Sequence, residues 1–104
     1  MLEPLAPADA RKLIRVIREV GRVAFSKHAR DEMDKDALTT LDVDSVLRAG
    51  VVDPAEYERG SWRYRIRATR MTVVFAFRSE VELAIVTAWR NQSDGDTQRQ
   101  IDEV

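Results

Sequence analysis

The chain contains no cysteine, and His28 is its only histidine. The absence of thiols excludes disulfide bonds and thiolate chemistry, and one histidine without cysteine argues against a zinc site. We therefore predict no metal ion and no cofactor. No apolar run is long enough to cross a bilayer, and the N-terminus lacks the basic and apolar regions of a secretory signal. We expect a cytoplasmic protein that does not enter a membrane.

Excess charge of either sign is also absent, since 17 basic and 18 acidic residues give a net charge of −1. This balance argues against a protein that coats nucleic acid nonspecifically. The charges are nevertheless unevenly distributed. Residues 59–78 include six arginines and no acidic residue, whereas residues 91–104 include four acidic residues and one arginine. We predict a single domain over residues 1–90, followed by an acidic, flexible tail over residues 91–104.

Hydrophobic spacing predicts a first helix from about residue 9 to residue 20. Leu13, Ile14 and Ile17 recur at the spacing of one buried helical face. Gly21 is predicted to end this helix, because glycine readily adopts the left-handed conformation found just after many helices.

Capping residues predict two further helices. Ser26 is placed to cap a helix that runs to about residue 35. Thr39 and Asp42 have the spacing of a capping box, and Gly50 follows the apolar positions of the helix that this box would begin. We therefore predict three helices in the first half of the chain.

After Pro54 the spacing of apolar residues changes from that of a helix to the alternation of a strand. Apolar and basic side chains alternate over residues 62–68, and residues 71–77 and 83–89 have the composition of two more strands. The short connections predict antiparallel hairpins, and residues 51–58 are predicted to supply an edge strand. The expected fold class is α+β: two or three N-terminal helices followed by a three- to four-stranded antiparallel sheet.

Arginines occupy one face of the first long strand. Arg63, Arg65 and Arg67 alternate with Trp62, Tyr64 and Ile66. Guanidinium groups donate paired hydrogen bonds to phosphate oxygens, so this face is a candidate phosphate-binding surface. The alternative is an ordinary solvated strand face. Trp62 and Trp89 are of a type that stacks on bases, but we expect both to serve mainly in core or edge packing because they alternate in register with apolar neighbours.

His28 is the natural candidate for proton transfer, because histidine exchanges protons near neutral pH. Cleavage of RNA through its own 2′-hydroxyl requires a base, an acid and cations that stabilise charge on phosphorus. Lys27 and Tyr64 are the types of residue that could carry the second proton, although Tyr64 shares the apolar face of its strand and is expected in the core. The alternative for a lone histidine is a packing or hydrogen-bonding role.

Several segments in order resemble a known family. They are Ser26-Lys27-His28-Ala29, the predicted helix over residues 40–50, Tyr64-Arg65-Ile66, and the last strand with Thr87. This order resembles small prokaryotic Ser/Thr-x-His-Ala domains of unknown function, and its layout is similar to that of RelE-like toxins of the MqsR and BrnT types. Glu32 departs from the family pattern, which usually has an arginine at that position.

The resemblance implies a toxin of a type II toxin-antitoxin pair. Such a protein is a metal-independent endoribonuclease that cleaves mRNA, in some cases on the ribosome, and a cognate antitoxin covers its site on the sheet. By this resemblance His28, Arg65 and Arg67 are catalytic. The residues predicted to contact the substrate are Lys27, Arg63, Arg78 and Thr87. The alternative function is a non-catalytic RNA-binding or protein-binding module that uses the same basic sheet.

Overall fold

The computed structural model describes residues 1–91, so the predicted acidic tail lies outside the described residues except for Asn91. Within residues 1–91 three helices and six strands follow one another. Their bounds are α1 Pro7–Val20, β1 Arg22–Phe25, α2 Lys27–Lys35, α3 Thr40–Ala49, β2 Val51–Val52, β3 Glu56–Glu58, β4 Ser61–Arg67, β5 Met71–Phe77 and β6 Glu82–Arg90.

Helix α1 begins at Pro7 and buries Ala10, Ile14 and Ile17. A proline at the first helical position costs no hydrogen bond, because its missing N–H would be unpaired there in any case. Gly21 ends the helix as expected but for a different reason. Its φ of −113° is not left-handed, and a Cβ at this position would instead overlap the carbonyl oxygen of Val81.

Helices α2 and α3 begin at the predicted caps. The Oγ atom of Ser26 accepts a hydrogen bond of 3.0 Å from the N–H of Ala29, and Thr39 and Asp42 form a complete capping box. Both caps satisfy backbone donors that the first turn of a helix leaves unpaired. No helix in the described part of the chain combines the length and apolarity needed to cross a membrane.

The sheet contains more strands than the three or four expected, and it is mixed rather than fully antiparallel. The strand order is β1-β6-β5-β4-β2, and β3 pairs with β4 beside this path. Strand β1 pairs with β6 in parallel, whereas the other pairs are antiparallel. The additional strands have two to four residues each. Apart from β1, all strands follow the helices, so the α+β class is confirmed.

All three helices contribute to one hydrophobic core with the same face of the sheet. The strands supply Tyr64 and Ile66 from β4 and Val73 and Phe75 from β5. The Tyr64 and Phe75 rings stack with their centroids 5.5 Å apart. Burial of each such side chain contributes about 1.5–3 kcal/mol. We call the opposite side of the sheet the outer face; it carries Arg63, Arg65, Arg67, Thr72, Val74, Ala76, Thr87 and Trp89.

Candidate nucleic-acid interface

The alternation predicted for β4 is confirmed. Tyr64 and Ile66 are buried against the helices, whereas Arg65 and Arg67 are exposed on the outer face. Strand register extends this surface to the last strand, because Arg65 pairs with Val74 and Val74 pairs with Thr87. Two of the predicted site residues, Arg65 and Thr87, therefore lie in one row across three strands.

Trp89 lies on the outer face rather than in the core. It pairs with Thr72, which in turn pairs with Arg67, while the neighbouring Ala88 faces the core. The guanidinium carbon Cζ of Arg65 lies 5.9 Å from the centroid of the Trp89 ring. This is the distance of a cation–π contact, which is worth about 0.5–1 kcal/mol at an exposed site. Trp62, by contrast, packs edge-on against Tyr57.

Arg67 is held by a carboxylate. Its Nε and Nη2 atoms donate to the two carboxylate oxygens of Asp53 at 2.8 and 2.9 Å. The hydrogen bonds from Arg67 lower the pKa of Asp53 below its usual 3.8, and the nearby charge of Arg65 acts in the same direction. A phosphate that binds Arg67 must therefore compete with Asp53.

The other predicted arginines also have neighbouring partners. Arg63 donates to the Oγ atom of Ser61 at 3.1 Å and lies 3.9 Å from Glu58. Arg78 lies 3.7 Å from Glu82. Among residues 1–91 no carboxylate lies within 4.0 Å of Arg65. Arg65 is therefore the predicted arginine with the fewest competing interactions.

His28 is exposed in the first turn of α2. The cap residue Ser26 connects this turn to β6, because its N–H donates to Ile85 at 3.2 Å and its hydroxyl donates to Val86 at 3.3 Å. The helix start therefore has a defined position beside the last strand. Lys27, which was predicted to contact the substrate, instead forms an ion pair with Asp31 on the same helix at 3.1 Å.

Ala29 is the buried residue in the first turn of α2, and His28 and Arg30 lie on either side of it. Phe25 is in register with the buried Ile85 and so points to the helix side of the sheet. The Cζ atom of Arg30 lies 5.7 Å from the centroid of the Phe25 ring, which places Arg30 on that same side. His28 comes two residues before Arg30, about 200° away around the helix. Among residues 1–91 no hydrogen bond or ion pair joins His28 to Arg65 or Thr87, so their grouping in one site stays a prediction.

Tyr64 is not available as a second proton carrier. Its hydroxyl donates to the carboxylate of Glu3 and accepts from the N–H of Leu5, both at 2.9 Å. Burial, the largest cause, together with Glu3 raises the pKa of Tyr64 to about 12. The expectation that Tyr64 belongs to the core is confirmed.

Sequence reasoning missed the acidic side chains beside the arginines. Asp53, Glu56 and Glu58 line a shallow cavity of about 90 Å³ together with Arg63 and Arg65. The signal for this arrangement was the alternation of glutamates before the two-residue turn at 59–60, which folds β3 back onto β4. Within residues 1–91 no three His, Asp or Glu side chains are grouped as a metal site.

Residues 25–90 match the model of a family described as a domain of unknown function, DUF4258. Because the match covers more than half of the chain, the protein belongs to this family. The matched segment contains His28, all of β4 and β5, and β6. No curated protein and no solved structure matches the chain. The family description names no activity, so the chemistry of the outer face must be argued from the residues themselves.

Proposed function

We propose that the protein is a metal-independent endoribonuclease that holds RNA on the outer face. The supporting observation is the exposed Arg65 on a sheet face that no helix of residues 1–91 covers, in one row with Thr87 and beside Trp89. Arginine suits phosphate, and the tryptophan ring is of the type on which unpaired bases stack. His28 supplies the group that transfers a proton.

The proposed reaction is an intramolecular transesterification. The 2′-oxygen of a ribose attacks the adjacent phosphorus, so that the bond from O2′ to phosphorus forms and the bond from phosphorus to O5′ breaks. His28 accepts the proton of the 2′-hydroxyl, and the departing 5′-oxygen takes a proton from water. The hydroxide that remains then takes the proton from His28, which restores the neutral imidazole. Arg65 stabilises the negative charge that develops on the non-bridging oxygens. The products are a 2′,3′-cyclic phosphate and a 5′-hydroxyl.

The biological setting that we propose is that of a toxin in a type II toxin-antitoxin pair in the cytoplasm. This proposal rests on the similarity in layout, N-terminal helices before an arginine-bearing sheet, to RelE-like toxins. The substrate is then mRNA, free or on the ribosome, and a cognate antitoxin covers the outer face. Expression of the chain alone should arrest growth, and the His28→Ala variant should relieve the arrest.

RNA cleavage in the presence of a chelator tests the proposed activity. Purified protein is incubated with a single-stranded RNA and EDTA, and the ends of the products are identified. We expect cyclic phosphate ends, and no cleavage where the attacking 2′-hydroxyl is replaced by hydrogen. Removal of a general base typically lowers the rate by about 10²–10⁴, so His28→Ala should be severely impaired. Lys35→Ala, at the other end of α2, is the matched control and should cleave normally. Full activity in a folded His28→Ala protein would exclude this mechanism.

A non-catalytic RNA-binding module is the second candidate. It is favoured by the carboxylates that already engage Arg67 and Arg63, and by the hydrogen bonds that occupy the hydroxyl of Tyr64. In this case the wild-type protein binds single-stranded RNA and leaves it intact, with or without ribosomes. The affinity then falls as salt is added, because phosphate contacts release counterions.

A further inference from the structure

Strand β1 is an edge of the sheet, and its backbone has unpaired groups. Within residues 1–91 its one neighbour is β6, to which it runs parallel. The N–H groups of Arg22 and Ser26 donate to the carbonyl oxygens of Val81 and Ile85. In a parallel pair, the residues that bond to a given neighbour alternate along the strand. The N–H and C=O groups of Val23 and Phe25 therefore point away from β6, toward the open edge.

An apolar groove adjoins this open edge on the helix side of the sheet. It is a cavity of about 90 Å³ between β1 and α3. The lining residues are Val23, Phe25, Thr40, Val43, Asp44 and Leu47.

The charges around the groove are mainly positive. The carboxylate of Asp44 is neutralised by Arg18, whose Nε and Nη2 atoms donate to it at 2.8 and 2.9 Å. Arg22 and Arg30 are exposed, and among residues 1–91 neither has a carboxylate within 4.0 Å. Arg30 extends over the ring of Phe25 at the end of the groove. Arg22 is in register with Glu82 and so projects on the outer side of the sheet, whereas Arg30 lies on the helix side over Phe25. An acidic strand added at this edge would therefore meet one guanidinium group on each side of the sheet.

We propose that β1 and this groove bind an extended acidic segment of a partner protein, which adds a strand to the sheet. The backbone of the partner pairs with Val23 and Phe25, and alternate apolar side chains enter the groove. Its carboxylates on the outer side of the sheet lie near Arg22, and Arg30 lies beside the end of the groove. The groove is on the helix side of the sheet, and β1 pairs with residues 82–85 of β6, so this surface is distinct from the row of Arg65, Val74 and Thr87. The inference does not depend on RNA cleavage.

A synthetic peptide of alternating valine and glutamate, blocked at both ends, is the probe. Amide hydrogen exchange is followed by NMR in the full chain. In the free protein Ala24 should exchange slowly because it faces β6, whereas Val23 and Phe25 should exchange quickly. Addition of the peptide should slow the exchange of Val23 and Phe25. A matched peptide with lysine in place of glutamate should bind about tenfold more weakly, as expected when two exposed ion pairs are lost.

Charge reversal supplies the second measurement. The double variant Arg22→Glu, Arg30→Glu should bind the glutamate peptide about tenfold more weakly and should prefer the lysine peptide. Both side chains are exposed, so the variant should fold, and the unchanged exchange of Ala24 would verify this. Equal binding of the two peptides, or no slowing at Val23 and Phe25, would overturn the proposal. Slow exchange at Val23 and Phe25 in dilute free protein would show that another segment of the same chain occupies the edge. Exchange that slows further as the protein concentration rises would show that a second copy occupies it. Either result would also overturn the proposal.

Discussion

At the scale of single residues, two arginines of the same strand face have different roles. Arg67 donates two hydrogen bonds to Asp53, whereas Arg65 lies against Trp89. A bidentate ion pair fixes the guanidinium group and occupies the donors that a phosphate would need. A cation–π contact leaves those donors available. The alternating sequence could not distinguish the two arginines, because the difference depends on the position of Asp53 beside β4.

Gly21 and Gly60 require glycine for two different physical reasons, which substitution can distinguish. A Cβ at Gly21 would overlap the backbone of Val81, whereas Gly60 has a φ of +85° and open space around it. We expect Gly21→Ala to lower the free energy of unfolding by about 3 kcal/mol through steric overlap. Gly60→Ala should cost about 1 kcal/mol through backbone strain.

Asparagine separates the two causes, since it tolerates positive φ better than alanine does. In urea unfolding, Gly60→Asn should recover most of the stability that Gly60→Ala loses. Gly21→Asn should recover none. Equal losses in both alanine variants, or recovery at Gly21, would show that the close approach to Val81 is not what requires glycine there.

At the scale of elements, the ion pair between Arg18 and Asp44 connects α1 to α3. The hydrogen bond from Arg18 lowers the pKa of Asp44 below its usual 3.8. A lowered folded-state pKa stabilises the fold above the unfolded value, and this stabilisation is lost as the pH falls through the folded value. We expect Asp44→Asn to cost about 0.5 kcal/mol at neutral pH, because the pair is partly exposed.

The pH dependence is measured by urea unfolding of the wild type and of Asp44→Asn. The difference between their free energies of unfolding should remain constant from neutral pH down to about pH 5 and should shrink as the pH falls below 4. A difference that is independent of pH would show that the stability does not come from the carboxylate.

The capping box of α3 permits a comparison of adjacent residues. The Oγ1 atom of Thr39 accepts from the N–H of Asp42 at 3.2 Å. Loss of a threonine cap typically costs about 1 kcal/mol, so Thr39→Ala should lower the free energy of unfolding by that amount. Thr40→Ala, one residue later, lies within the helix and should be nearly neutral. A result in which the two variants are equally stable would contradict the role of the cap.

The elements differ in how well the sequence predicted them. The helix starts at Ser26 and Thr39 were predictable because caps are local chemistry. The arginine alternation of β4 was predictable because its period covers seven residues. Strand β1 was not predicted as a strand, since four residues carry little periodicity and its parallel partner β6 lies about 60 residues later. The position of Trp89 was also missed, because a register irregularity occurs in the pairing of β5 and β6.

At the scale of the whole molecule, the sheet separates two surfaces with different chemistry. Within residues 1–91 the helices pack on one side of the sheet, and the row of Arg65, Val74 and Thr87 lies on the other. The apolar groove beside the edge strand β1 lies on the helix side. A near-neutral chain can bind RNA in this arrangement, because binding depends on the local charge of one face rather than on the net charge.

RNA binding to the outer face tests the central claim most directly. The affinity for a single-stranded RNA is measured at two salt concentrations for the wild type and for Arg65→Ala. Arg15→Ala removes the same charge from α1, away from the outer face, and is the matched control. We predict about tenfold weaker binding and a smaller salt dependence for Arg65→Ala alone. Equal affinities of the two variants, or no binding by the wild type at low salt, would contradict the assignment of the outer face as the RNA site.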